Sequence, residues 1–179
     1  MAKLKGTDII TTANLHNGRS IDDVYAMRFI NEAIATLATM YDSACVKSVA
    51  IIAAMGKEWV SLPDSCYGVL EVTKEGLPVN EFEIISEQVR FKNDGTYELL
   101  YLREPSPLAV LTNAPEIDGA YHYAIALFVA SREKSRMFGD QESDSGRLMT
   151  EFRNAAHEAN IRILGKKKTV RNVPAPTFR

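Results

Sequence analysis

Cysteine is scarce in this chain. Cys45 and Cys66 are the two present, and neither sits in a Cys-x-x-Cys pair or beside a histidine cluster. That excludes a disulfide framework and a zinc site of the usual spacing. Two lone thiols fit half-buried, reduced cysteines and a reducing compartment. Histidine is also rare: His16, His122 and His157 stand apart, and none has a ligand-type partner four residues on, so each reads as a structural or surface residue. There is no GxSxG, Walker loop, GxGxxG or HExxH, which removes the motif-bearing hydrolases, nucleotide binders and zinc proteases. The expectation is a protein that is not an enzyme and needs no cofactor. Long apolar runs are missing too. Runs such as Val49 to Met55 fall far short of the ~20 residues that cross a bilayer, and the N-terminal stretch has no apolar leader. A soluble protein made in the cytoplasm, with no membrane partner, is expected.

What is present is an ordinary globular composition: 179 residues, 46% hydrophobic and 25% charged. That suits one domain, or one domain with an insert. Charge is unevenly spread. The last fifteen residues, GKKKTVRNVPAPTFR, hold five of the 21 basic residues and none of the 23 acids, leaving a body of formal charge −7. An acidic body is poorly suited to gripping nucleic acid, which requires neutralising phosphates.

Periodicity predicts the elements. The first nineteen residues read as irregular. Ser20 can cap a helix over 20–41, with Asp22 and Asp23 in its first turn. Its apolar stripe is Val24, Met27, Ile30, Ile34, Leu37 and Tyr41, spaced by threes and fours. From Val46 two strands are expected, joined by a turn at Gly56-Lys57, then strands over 68–74 and 79–85. Asn93-Asp94-Gly95 is the strongest turn signal and leads into YELLYLR, apolar on both faces and so covered on both. Prolines 105, 107 and 115 mark a connector. A helix over 119–138 follows, rich in small residues, then one over about 142–164 with the stripe Leu148, Phe152, Ala155, Ala159 and Ile163 and Gly165 as C-cap. The predicted fold is α+β. A small helical bundle, the early helix packed on two late helices, carries an inserted antiparallel β segment and an extended C-terminal tail. The predicted divisions are 1–44, the insert 45–110, 111–164 and the tail 165–179.

Two stretches invite a functional reading. DQESDSGRLMTE places Asp140, Glu142, Asp144 and Glu151 at the acid positions of a calcium loop, but the loop glycine comes one residue late and a helix runs through the end. A turn whose acids stabilise the next helix N-terminus is the favoured reading. The tail is different. Lys166, Lys167, Lys168, Arg171 and Arg179 are basic, Pro174 and Pro176 favour an extended backbone, and Phe178 is an aromatic with no core to enter. These residues suit a partner-binding peptide.

Three patches, FINEAIATLAT (29–39), EWVSLPDSCYGVLEVTKEG (58–76) and the helical stretch 120–160 beginning AYHYAIALFVASREK, resemble the head-to-tail adaptor, or connector, proteins of tailed bacteriophages. That family carries an Ile-Asn-Glu-Ala-like early helix, an aromatic followed by Leu-Pro-Asp leading into a strand, and two late helices around a short acidic turn. The resemblance implies a virion protein of the neck. It would form a ring of about twelve copies beneath the portal protein and present a platform to the next neck or tail protein. DNA would pass through the channel without specific binding. In several such proteins the C-terminal segment reaches into the portal or a neighbouring subunit, which the resemblance implies for the tail here. The other expectation is a monomeric or dimeric ligand-binding or regulatory module of a mobile element, or another neck or tail-completion protein. Trp59, the single tryptophan, is expected to anchor the β insert, or its seam with the helices, by burial, at about 3–5 kcal/mol on truncation; the other reading is an interface residue at a neighbouring subunit.

Overall fold

The computed structural model describes residues 3–139 and 143–170. The chain divides into two compact units: a helical one from residues 1–44 and 105–179, and a β unit of 45–104. The second boundary falls six residues before the expected 110, because the last strand ends at Arg103 and Pro105 begins the connector.

The helical unit holds α1 (Gly6–Asn17), α2 (Asp23–Met40), α3 (His122–Phe138) and α4 (Ser143–Val170). Its centre is α3. Every residue from Ala124 to Ser131 is buried, an all-round apolar pattern that marks an enclosed helix. Helices α1, α2 and α4 all pack on it. The small side chains Ala124, Ala126, Ala130 and Ser131 allow close approach, and Phe128 meets Phe152 of α4 edge-on at 5.1 Å.

Helix α1 was not expected. Its polar threonines and asparagines hide a short buried stripe, Ile9, Ile10 and Ala13, while Leu15 is exposed. The connector holds its first turn: Gly6 N donates to Asn113 O and Thr7 N to Leu111 O. Gly18, at φ 76°, ends it. Helix α2 starts later than expected, since the cap is Asp22, not Ser20: its carboxylate accepts from Val24 N. Ile30, Ile34 and Leu37 are buried as predicted, but Val24 is exposed and Phe29 takes an inward place instead. Gly165 does not end α4, which continues to Val170; a glycine stops a helix only where its neighbours supply the left-handed turn and its hydrogen bonds.

The β unit holds β1 (Val46–Ala54), β2 (Trp59–Ser61), β3 (Cys66–Lys74), β4 (Leu77–Pro78), β5 (Phe82–Ile85), β6 (Gln88–Phe91) and β7 (Gly95–Arg103). One sheet has the order β1-β7-β3-β4 and the other β2-β6-β5. The expected hairpin at Gly56-Lys57 does not form: β1 pairs with β7 and β2 with β6. Of the expected strand 79–85 only Phe82–Ile85 forms, while the two-residue β4 before it and the four-residue β6 after it were missed because so few residues carry little pattern. Glu75 and Gly76, at φ 55° and 78°, make the tight turn between β3 and β4.

Ile52, Val72, Tyr97 and Leu99 of the first sheet share a core with Val89 and Phe91 of the second. Phe91 and Tyr97 stack with centroids 3.8 Å apart. This pair, and not Trp59, anchors the core of the β unit. Trp59 lies outside that core, half-buried, with the Arg90 guanidinium 4.7 Å above its ring. The cost of truncating it is accordingly below the value expected for a buried tryptophan.

Candidate partner-binding surfaces

Of the tail residues singled out in the sequence, Lys166, Lys167 and Lys168 belong to α4. Arg171, Pro174, Pro176, Phe178 and Arg179 lie outside the described residues, as do Asp140 and Glu142 of the acidic window. The remaining two acids of that window lie seven residues apart on α4, with Arg147 between them. Arg147 reaches Glu151 at 2.5 Å and Asp144 at 3.7 Å, and Lys134 also pairs with Asp144. Both carboxylates are thus engaged by cations at helical i,i+3 and i,i+4 spacing, in a helix that cannot wrap an ion as a loop does. Among the described residues no group of three or more His, Cys, Asp or Glu converges.

The Ile-Asn-Glu-Ala segment of α2 has a visible task. Asn31 clamps the connector backbone from both sides: its Nδ2 donates to Leu108 O at 3.1 Å, and Leu108 N donates to its Oδ1 at 2.7 Å. Glu32 pairs with Arg132 of α3, while Ile30 and Ala33 enter the core. The Leu-Pro-Asp segment is a corner. Cys66 N donates back to Pro63 O, and Ser65 at φ 61° turns the chain into β3. These contacts build the fold.

His122 is buried at the start of α3. Its Nδ1 accepts from Leu4 N at 2.9 Å, tying the N-terminal segment to the bundle. Nδ1 is therefore unprotonated, and the neutral ring carries its proton on Nε2, which has no partner. Burial, with Lys3 nearby, pushes its pKa below that of a free histidine, against a smaller opposing pull from Asp118. His157 is exposed on α4, and His16 packs against Tyr123. Burial raises the pKa of Cys66, the opposite of what a reactive thiol needs.

Two grooves cut the helical unit. One, of about 640 Å³, runs between the start of α3 and α4, with Tyr123, Leu127, Ala155 and Ala159 along it and Glu151 and Glu158 at its margin. The other, of about 400 Å³, lies between α2 and α3 and gathers Arg28, Arg132 and Arg136 around Tyr25 and Phe29. The Arg136 guanidinium sits 4.1 Å over the Tyr25 ring and forks onto the buried carboxylate of Glu133. Two of the three guanidiniums thus have acid partners.

Exposed apolar side chains are prominent on both units. Leu15, Val24 and Phe138 on the helices, and Ile51, Met55 and Leu77 on the β unit, are each 63–81% exposed. Large apolar groups left in water are candidates for contact with other proteins where they lie together in a patch. Sequence reasoning missed Leu15, since α1 itself was missed, and placed Val24 inward. No helix among the described residues is long and apolar enough to cross a membrane. Compared with known proteins, the chain matches no family model and no curated protein.

Proposed function

We propose that this chain is a structural, non-enzymatic assembly protein: a head-to-tail adaptor of a tailed-phage virion, made in the host cytoplasm and placed in the neck. About twelve copies form a ring under the portal protein, extend the DNA channel and offer a platform to the next neck or tail protein. The observation that carries the reading is the exposed apolar surface on both units, Ile51 and Leu77 on one and Leu15 and Val24 on the other, which fits a subunit completed by neighbours. The three sequence patches add to it, since all three build the frame of the fold. The acidic body suits a channel through which DNA slides without sticking. The basic C-terminal residues Lys166, Lys167, Lys168, Arg171 and Arg179, with Pro174, Pro176 and Phe178, are the partner-binding segment.

The test is the mass of the purified protein, alone and with the portal protein encoded beside it, by native mass spectrometry. A closed ring on the portal is the expected result. A stable dimer that ignores the portal would sink the adaptor reading. It would favour a ligand-binding or regulatory module instead, for which the groove between α3 and α4 is the place to screen.

A further inference from the structure

Strand β1 is an open edge. All nine of its residues, Val46–Ala54, pair with β7 without a bulge, and it stands at the end of its sheet. In an antiparallel ladder alternate residues aim their N–H and C=O groups at the partner, and the others aim theirs away. About half of the backbone groups of β1 therefore face outward, and no turn or loop backbone hydrogen bond among the described residues reaches them. Edges of this length are usually blunted by lysine, proline or a bulge. Lys47 near its start is the one such residue in β1; from Ser48 to Ala54 the sequence SVAIIAA offers neither charge nor proline, and Val49 and Ile51 are 57% and 74% exposed. Such an edge is a template for one more strand.

The chain carries a segment that fits it. Residues 171–179, RNVPAPTFR, follow α4. Nine extended residues span about 30 Å, the same as the nine of β1. Pro174 and Pro176 fix φ near −65°, and Val173 and Ala175, each preceding a proline, are steered to extended backbone. The prolines are two residues apart, so in an extended chain both missing N–H groups fall on one edge. Val173, Ala175 and Thr177 keep theirs on the other. A strand of this kind pairs along one edge and leaves the opposite edge unable to recruit another. Its two faces carry Pro174, Pro176 and Phe178, or Val173, Ala175 and Thr177. The first set is apolar throughout and continues the apolar side chains of Val49 and Ile51.

We propose that residues 171–179 add as a strand to the open edge of β1 in a neighbouring copy of this chain. The proposal rests on the ring reading and names its subunit contact. Two different surfaces meet, so the contact is head-to-tail and closes a ring when the rotation allows. The one-sided prolines end the sheet at each junction.

The full-length chain tests this by sedimentation velocity over a concentration series, with amide exchange of residues 46–54 followed in parallel. Ala175→Pro removes one pairing N–H and keeps charge, Phe178 and extended backbone. Pro174→Ala restores an N–H on the non-pairing edge. The expected result is concentration-dependent association with protection of β1, weakened at least tenfold by Ala175→Pro and by Ile51→Lys and unchanged by Pro174→Ala. A monomer at every concentration would overturn the proposal, as would an oligomer indifferent to Ala175→Pro. Protection of β1 in a monomer, independent of concentration, would place the strand on its own chain and overturn the neighbour assignment. The two readings fail separately. Portal binding untouched by Ala175→Pro sinks the strand contact alone. Self-association sensitive to Ala175→Pro, without portal binding, sinks the adaptor reading alone.

Discussion

Leu127→Ala should unfold the helical unit early and leave the β unit alone. Leu127 lies in the middle of α3 with no exposed surface. Truncating it removes buried methyl groups and leaves a cavity among helices that close only in part, which costs about 2–5 kcal/mol. At the middle of that range, about 3 kcal/mol, a unit of this size loses roughly 10 °C in its transition. The β unit has a core of its own, built on Phe91, Tyr97 and Leu99, and it holds the single tryptophan. Trp59 fluorescence therefore reports the β unit, and far-ultraviolet circular dichroism is dominated by the helices. Heating the variant should move the dichroism transition down while the fluorescence transition stays where it is in the parent. If both move together by the same amount, the two cores melt as one cooperative unit and the reasoning from separate cores is wrong.

In the β unit, Phe91→Ala should cost about 3–5 kcal/mol. Trp59→Phe should cost less than about 1 kcal/mol, because it loses mainly the contact with Arg90; urea midpoints read by circular dichroism decide. Gly6→Ala should destabilise the helical unit by about 1–3 kcal/mol, since a Cβ there would sit 2.8 Å from Leu111 O and 2.9 Å from Leu108 Cδ2; calorimetry of the variant checks it. His122 is held below its ordinary pKa of 6.5, so the unfolded chain takes up the proton first as pH falls. Its contribution is present above about pH 6.5 and is lost on descending below it, and His122→Gln should flatten that stretch of the stability profile. Truncation after Val170 should leave the melting curve unchanged and weaken assembly, as read by mass on the portal.

The helices whose burial is periodic were legible. Ile30, Ile34 and Leu37, and Leu148, Phe152, Ala159 and Ile163, are inward as their spacing requires. What escaped was decided elsewhere in the chain. Helix α1 is fixed by backbone bonds from Leu111 and Asn113, more than a hundred residues away, and its own stripe is short. Strands β1 and β2 adjoin in sequence and read as a hairpin, but the chain switches sheets between them. Their partners, β7 and β6, come some thirty to fifty residues later. Local turn chemistry at Gly56-Lys57 cannot reveal that. Trp59 misled for a related reason. Size alone suggested a core residue, while its registered neighbour is Arg90, and a cation over one ring face keeps that face toward the surface. The C-terminal segment was legible as chemistry only. Its proline spacing is in the sequence, but the edge proposed to pair with it emerges only with the sheet order.

The way the β unit is inserted bears on what it can do. Its first and last strands are β1 and β7, and Val46 stands opposite Arg103 at the root of their ladder. Residues paired across an antiparallel ladder lie within about 5 Å. The helical unit therefore spans the insertion as it would a short loop, and closing that loop costs it little extra entropy however long the insert grows. The helical core carries its own restraints, the Asn31 clamp on the connector and the bonds from Ser43 to Tyr121 and Asn160. Sequence change in the β unit is then nearly free of consequence for the bundle. A surface such as the β1 edge, with Val49 and Ile51 in water, can stay unprotected without endangering the helices. It endangers solubility instead, and a chain that keeps such an edge gains most when a partner strand covers it.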